Sequence, residues 1–177
     1  MKTFEFNEYN RATLELPVLT QADQPGNENL SASGEENRES GLVEIAFMAE
    51  GNSWEYTQQP TPQQLNSLEF IKKNQQAILE QLYDYTKNTL YPVHIGYIGF
   101  DEVSFPEINS VEDLRNTLGI NAIILFREHK EDIAYWAFEC DFTGDFEHGT
   151  TLVMHQLRVL GWQEDLTKEL VIADQNP

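Results

Sequence analysis

Short stretches in which apolar and polar residues alternate occur at both ends of the chain and are typical of half-buried strands. In the N-terminal part they predict two β-hairpins, each made of two strands joined by a tight turn. The first hairpin has strands 3–9 and 12–19 around the turn Asn10-Arg11, and the second has strands 42–48 and 53–57 around the turn signal at 50–52. We expect both hairpins to belong to an antiparallel sheet.

The segment 61–90 carries the helical spacing of apolar residues. Thr61 is suited to the N-cap, Pro62 to the first helical position and Gln64 to the third position of a capping box. Apolar side chains recur three or four residues apart on one face, at Leu65, Leu68, Ile71, Ile78, Leu82 and Tyr85. At about 1.5 Å per residue the helix would extend roughly 40 Å, so we expect one long helix packed across the sheet.

The C-terminal half combines a short helix with further strands. Ser110, Asp113 and Gly119 provide the cap, box and stop signals of a helix at 110–119. An antiparallel meander of strands with polar links is predicted at 120–126, 132–142, 150–155 and 157–162. The pattern at 165–172 fits either a short helix or a strand. These elements predict a single α+β domain over residues 1–177, in which an antiparallel sheet carries one long and one short helix.

Residues 21–41 interrupt this pattern, because Leu30 is their only large aliphatic residue. A segment so poor in apolar side chains buries too little surface to offset its ordering entropy, so we predict a mobile polar loop. A binding loop is the functional alternative. Its acidic residues Glu35, Glu36 and Glu39 are candidate contacts for a basic partner.

The chain is strongly acidic, with 11 Lys and Arg against 30 Asp and Glu and a formal net charge of −19. Such a field repels phosphate backbones and anionic headgroups, so nucleic acid and membrane surfaces are poor partners. It accelerates encounter with a cationic partner, although a contribution to solubility alone explains the charge equally well.

The single cysteine, Cys140, excludes an internal disulfide framework. The N-terminus has Lys2 but lacks the apolar segment of a signal peptide, and no apolar run reaches the length of a membrane span. We therefore expect the protein to reside in a reducing cytoplasm.

The stretch "YWAFECDFTGDFEHG" at 135–149 places Cys140 among acidic residues and a histidine. Side chains alternate along a strand, so Cys140 shares a face with Phe138 and Phe142, away from Glu139 and Asp141. That face is aromatic and predicted to be buried. A cysteine in such surroundings behaves as a small hydrophobic residue, so we interpret Cys140 as a packing residue.

Metal binding and catalysis have weak support in this stretch. Asp141, Asp145 and Glu147 recur at every second position, but a calcium loop requires glycine and glutamate where Phe146 and Leu152 stand. We predict no metal and no cofactor, and a solvated acidic turn instead. The chain also lacks a phosphate-binding G-x-x-x-x-G-K-[ST] loop and a G-x-S-x-G nucleophile motif.

The stretch "AFECDFTGDFEHG" resembles a family of uncharacterised bacterial domains of unknown function. Their signature is a strand F-x-C-x-W-D followed by E-H-G and a further β-hairpin. The residues of this chain that match it are Phe138, Cys140, Glu147, His148 and Gly149. Phe142 stands in place of the tryptophan, Thr143 replaces the aspartate, and the turn before Glu147 is longer. The resemblance extends over residues 42–162.

The resemblance implies a small cytoplasmic α+β domain that acts by binding, since members of that family often resemble immunity proteins of bacterial toxin systems. The expected partner is a basic protein such as a toxin, contacted by the acidic loop residues and by Asp141, Asp145 and Glu147. The motif Glu147-His148-Gly149 is interpreted either as a turn, with Gly149 at positive φ, or as a recognition surface. The protein is not expected to be an enzyme.

Two alternatives to specific binding remain open. The first is a small hydrolase that uses His148 with Glu147 or Asp145, in which His148→Ala abolishes turnover and leaves the melting temperature nearly unchanged. The second is an accessory protein with a generic acidic surface and no single partner. The sequence leaves the oligomeric state open.

Overall fold

A computed structural model describes residues 4–19, 41–50, 55–98, 107–143, 145–163 and 166–176, with backbone only at 95–98, 115–116 and 145–148. The described part is a mixed α+β structure built on a six-stranded sheet in the order β1-β2-β3-β4-β5-β6. The strands are β1 (Arg11–Glu15), β2 (Leu42–Phe47), β3 (Leu118–Lys130), β4 (Ile133–Phe142), β5 (Asp145–His155) and β6 (Arg158–Gln163).

One pair of strands in this sheet is parallel. β2 runs parallel to β3, with Ile45 opposite Ile123, whereas the other neighbouring strands are antiparallel. The prediction of a wholly antiparallel sheet is therefore wrong. The helical connection between β2 and β3 returns the chain to the end of the sheet from which β2 started, so β3 must run in the same direction.

Within each predicted N-terminal hairpin, the pairing of the two strands consists of one isolated bridge. Phe6 pairs with Ala12 and Met48 with Tyr56 outside the named strands. The first strand ends at Glu15, before Pro17, whose ring removes a backbone donor. Most of the second predicted turn, and the predicted mobile loop at 21–41 apart from Gly41, lie outside the described residues.

The predicted long helix is divided. Helix α1 (Pro62–Lys73) has the predicted capping box, in which Thr61 Oγ1 accepts from the Gln64 amide and Gln64 Oε1 accepts from the Thr61 amide. Asn74 interrupts it with φ −117° and ψ 22°, outside the helical range. The Phe70 carbonyl accepts both the Asn74 backbone N–H at 3.1 Å and the Asn74 side-chain amide at 2.8 Å.

Further helical segments complete the described part of the fold. They are α2 (Gln75–Tyr85), a π-helical turn (Thr86–Leu90), α3 (Tyr91–Ile98), a 3₁₀ turn (Glu112–Asn116) and α4 (Glu169–Gln175). The helix predicted at 110–119 is thus a short 3₁₀ turn, because its last residues already belong to β3. The ambiguous segment at 165–172 leads into α4.

The sheet buries apolar side chains on both faces. On the first face, α1 packs against β3 and β4 and α2 reaches β6, covering Ile45, Ile123, Trp136 and Phe138 among others. On the second face, α4 covers a smaller cluster that includes Val153. Of the helices in the described ranges, none is both long and apolar enough to cross a membrane.

Candidate functional site

The second face of the sheet is divided between an apolar half and a polar half. The apolar half lies under α4, whose Val171 is fully buried beside Tyr135, Ala137 and Val153. Leu170 packs so closely over Gly161 that a Cβ there would lie 2.9 Å from a Leu170 methyl carbon. The glycine therefore permits the helix to lie against the strand.

The polar half of the same face is formed by residues that alternate with the buried positions of β1 to β4. One row crosses the sheet through the pairs Thr13–Glu44, Glu44–Ala122 and Ala122–Glu139. Residues that are opposite in a ladder project from the same face. We define the carboxylate face as Thr13, Glu15, Glu44, Asn121, Glu139 and Asp141, to which α4 does not extend.

Arg11 is the cation at the centre of the carboxylate face. Its guanidinium lies 2.8 Å from Glu44 Oε2 and 3.6 Å from Glu139 Oε2. The guanidinium carbon lies 5.4 Å from the centroid of the Tyr56 ring, a cation–π contact. The side chains of Arg11, Glu44 and Glu139 are 25%, 30% and 32% exposed, so a partner can reach charges that are already largely desolvated.

Among the carboxylates of the carboxylate face, Glu139 has a pKa that is shifted from its usual value. Burial raises the pKa of the Glu139 carboxyl above its usual value, nearby Arg11 opposes the rise and nearby Glu44 adds to it. Burial also raises the pKa of Tyr56, and the negative charge of Glu139 raises it further. The negative charge of Glu139 is thus held at a cost that a further cation would relieve.

Asp141 continues the carboxylate face along β4. Its carboxylate accepts a 2.8 Å hydrogen bond from the Asn121 amide. Asn121 is available for this bond because the pairing of β3 with β4 shifts between Ile120 and Ala122, leaving Asn121 as an extra residue. Asp141 lies opposite Gly119, which has no side chain to cover it.

The predicted acidic turn after β4 is mostly strand. Asp145, Glu147 and His148 lie in β5, and Asp145 pairs with Phe142. The side chains of these residues lie outside the described part. The grouping of His148 with Glu147 or Asp145 therefore stays a prediction. The structure does place the backbone of these residues beside the Asp141 end of the carboxylate face.

Gly149 has the positive φ predicted for it, 70°, but within β5 rather than in a closing turn. A Cβ at this position would overlap the carbonyl oxygen of Cys140 on the neighbouring strand. The pairing of β4 with β5 shifts at this point, between Cys140 and Phe142. The glycine of the E-H-G motif therefore permits the positive φ and the close approach of β5 to β4.

Phe138 and Cys140 lie on the opposite face of β4, as the alternation predicts. Both are buried in the core under α1 and α2, and the Cys140 thiol lies 3.7 Å from the Phe138 carbonyl. They support the strand and do not join the carboxylate face. The loop candidates Glu35, Glu36 and Glu39 lie outside the described residues.

Sequence reasoning missed Arg11, Glu15, Glu44 and Tyr56 as members of the site. Glu44 does leave a signal, because it is the only charged residue in the buried strand "LVEIAF". A charge in the middle of an apolar strand marks a face that is not covered by core residues. Arg11 left no such signal, since its ion pair with Glu44 depends on the long-range pairing of β1 with β2.

A family model described as "Domain of unknown function (DUF6985)" matches residues 34–164, more than half of the chain. The chain belongs to the DUF6985 family. The match includes Glu44, Glu139 and Asp141 but not Arg11 in β1 or any of α4. The link with immunity proteins and the F-x-C-x-W-D…E-H-G signature stay predictions. Neither a curated protein nor a solved structure matches the chain significantly.

In the parts of this DUF6985 chain that the structure describes, no three His, Cys, Asp or Glu side chains are grouped so as to hold a metal ion. The carboxylate face offers instead separated carboxylates with one guanidinium among them. Such an arrangement suits hydrogen bonding to the guanidinium or ammonium groups of another protein.

Proposed function

We propose that this protein acts by stoichiometric binding of a cationic protein, and that the carboxylate face receives the basic side chains of that partner. The observation that carries the proposal is that Glu44, Glu139 and Asp141 lie together, partly buried, on a sheet face that α4 leaves uncovered. Following the resemblance noted above, we propose an immunity-type role in the cytoplasm, with a basic toxin as the partner.

The geometry supports this proposal in two ways. Glu139 and Glu44 are two carboxylates near a single Arg11, so the group holds more negative than positive charge. A partner arginine placed over Glu139 and Asp141 would meet carboxylates that are held in place by a strand. Preorganised, partly desolvated charges contribute more to binding than exposed ones.

The net charge of −19 supports the same proposal from a longer range. An acidic field steers a basic protein during diffusion and raises the association rate, most strongly at low salt. For a toxin that acts on an anionic substrate, the same field would also compete with that substrate. The long-range charge sets the encounter rate, and the carboxylate face sets the register of the complex.

The experiment is an affinity capture from the native lysate, followed by titration of the purified partner. We compare wild type with the triple variant Glu44→Gln, Glu139→Gln, Asp141→Asn. Loss of one desolvated charge pair costs about 2 kcal/mol or more, so we expect affinity to fall at least roughly thirtyfold. The dependence of affinity on salt should also become weaker.

A matched control separates the face from the total charge. Glu80→Gln, Asp84→Asn, Glu112→Gln removes the same number of charges from exposed positions on α2 and the 3₁₀ turn. This control should slow association slightly and leave the dissociation rate unchanged. If both triple variants weaken binding equally, the carboxylate face is not the contact surface. If the wild type captures no basic protein, the binding function itself is refuted.

A further inference from the structure

A cavity of about 340 Å³ lies at the opposite end of β3 from the carboxylate face. Its walls include Glu50, just after β2, then Arg127, Glu128 and His129 of β3, and Lys168 and Gln175 at the two ends of α4. None of these residues belongs to the carboxylate face, and Ala122, in the row of Glu44 and Glu139, is five residues from Arg127, about 17 Å along an extended strand. The cavity is therefore separate from the proposed protein-binding surface.

The cavity lies at the carboxyl end of β2, beside the continuation of β3. β2 and β3 form the parallel pair of the sheet. A volume of about 340 Å³ is at the lower end of the range for small-molecule sites.

The charges that line the cavity differ from those of the rest of the protein. Arg127 and Lys168 line it together with Glu50 and Glu128, so cations and carboxylates are equal in number there, whereas the chain as a whole has a formal net charge of −19. Lys168 lies 2.9 Å from Glu128, and both side chains are largely buried, so these two charges balance each other. Of the two cations, Arg127 is therefore the one that is more open to a ligand, with 34% of its side chain exposed against 15% for Lys168.

Arg127 has a weak internal partner. Its guanidinium lies 3.7 Å from Glu50 Oε2, and the Glu50 side chain is 87% exposed. An ion pair this long and this exposed is readily exchanged for a better-placed anion. The Glu50 carboxylate thus marks the place that the anionic group of a ligand would take.

We propose that this cavity binds a small molecule through a carboxylate or phosphate group seated on Arg127, with the Glu50 carboxylate occupying that place when the ligand is absent. Guanidinium groups bind both anions with two parallel hydrogen bonds. Gln175 donates to the His129 carbonyl at 3.3 Å and so holds the end of α4 at the cavity wall. The site does not depend on the carboxylate face.

The test is a titration of the ¹⁵N-labelled full chain with inorganic phosphate and, separately, with succinate, at ionic strength held constant with sodium chloride. Saturable shifts should appear at the amides of Glu50, Arg127 and His129. The anion that saturates at the lower concentration identifies the class of group that the cavity prefers. Absence of saturable shifts with both anions would refute the site.

Three variants make the test specific. Arg127→Met should abolish saturation with either anion, while Lys73→Met, which removes the same charge from an exposed position on α1, should leave it unchanged. Glu50→Gln should tighten binding several-fold, because it removes the internal competitor. Equal binding by Arg127→Met and Lys73→Met, or weaker binding by Glu50→Gln, would overturn the proposal. The melting temperature of each variant is measured to confirm that it is folded.

Discussion

The two halves of the second sheet face differ in the ratio of carboxylates to the cations and donors around them. Under α4, Asp174 accepts two hydrogen bonds from the Arg158 guanidinium, at 3.0 and 2.9 Å, and one from the Tyr135 hydroxyl at 2.9 Å. Lys130 Nζ also lies near this carboxylate, 3.7 Å from Asp174 Oδ2. Asp174 is thus surrounded by donors, and these contacts attach α4 to the sheet.

On the carboxylate face the proportions are reversed. Glu44 and Glu139 share the Arg11 guanidinium, and Asp141 accepts a hydrogen bond from the neutral amide of Asn121. Both halves come from the same alternation on β4, in which Tyr135 and Ala137 are followed by Glu139 and Asp141. The covered half therefore stabilises the fold, and under the binding function proposed above the open half would receive another molecule at some expense of stability.

The largest effect should come from changing the backbone beneath the open half. Gly149→Ala should lower the free energy of unfolding by about 3 kcal/mol, because it adds positive-φ strain to a clash with the Cys140 carbonyl. In the covered half, Gly161→Ala should cost about 1 kcal/mol, since the methyl groups of Leu170 can move aside. Urea unfolding measures both, and equal losses would contradict the assignment of Gly149 to a tight strand contact.

An intermediate effect is expected from the anchor of the covered half. Asp174→Asn should lower the free energy of unfolding at pH 7 by about 1 to 2 kcal/mol, because it weakens charge-assisted hydrogen bonds to Arg158 and Tyr135. The Arg158 hydrogen bonds lower the pKa of Asp174 from 3.8 to about 2. A depressed folded-state pKa contributes stability above pH 3.8 that is lost as the pH falls towards 2.

The acid limb of the unfolding curve checks this anchor. The wild type should lose stability between about pH 4 and pH 2, and its advantage over Asp174→Asn should shrink across the same range. At the alkaline end, burial and the hydrogen bond to Asp174 raise the pKa of Tyr135 to about 12. The stability linked to Tyr135 should therefore be lost as the pH rises from 10 to 12, and Tyr135→Phe should lack this loss.

The smallest effect concerns Glu139, whose substitution is expected to raise the free energy of unfolding. Its raised pKa means that it stabilises the fold below pH 4.5 and ceases to do so as the pH rises. Glu139→Gln should therefore raise the free energy of unfolding at pH 7 by about 0.5 kcal/mol, whereas Glu44→Gln, which breaks a 2.8 Å pair, should lower it by a similar amount. Thermal unfolding from pH 4 to pH 8 compares the two, and a stability loss in Glu139→Gln would show that Glu139 is a structural partner of Arg11.

Local features of the fold could be predicted from the sequence, and the site could be predicted only in part. The capping box of Thr61 and Gln64 and the burial of Cys140 depend on neighbours in the chain, and both are confirmed. The break at Asn74 escaped prediction because the apolar periodicity continues across it. Asp141 was found, but its companions Glu44 and Arg11 come from strands whose pairing is decided by long-range packing.

The parallel pairing of β2 with β3 has a consequence for synthesis of the chain. Ile45 and its partner Ile123 are 78 residues apart, which at about 5 to 20 residues per second corresponds to roughly 4 to 16 s of translation. During that interval one edge of an apolar strand is exposed to other nascent chains. A charge in the middle of such a strand discourages edge-to-edge aggregation, and in β2 that charge is Glu44.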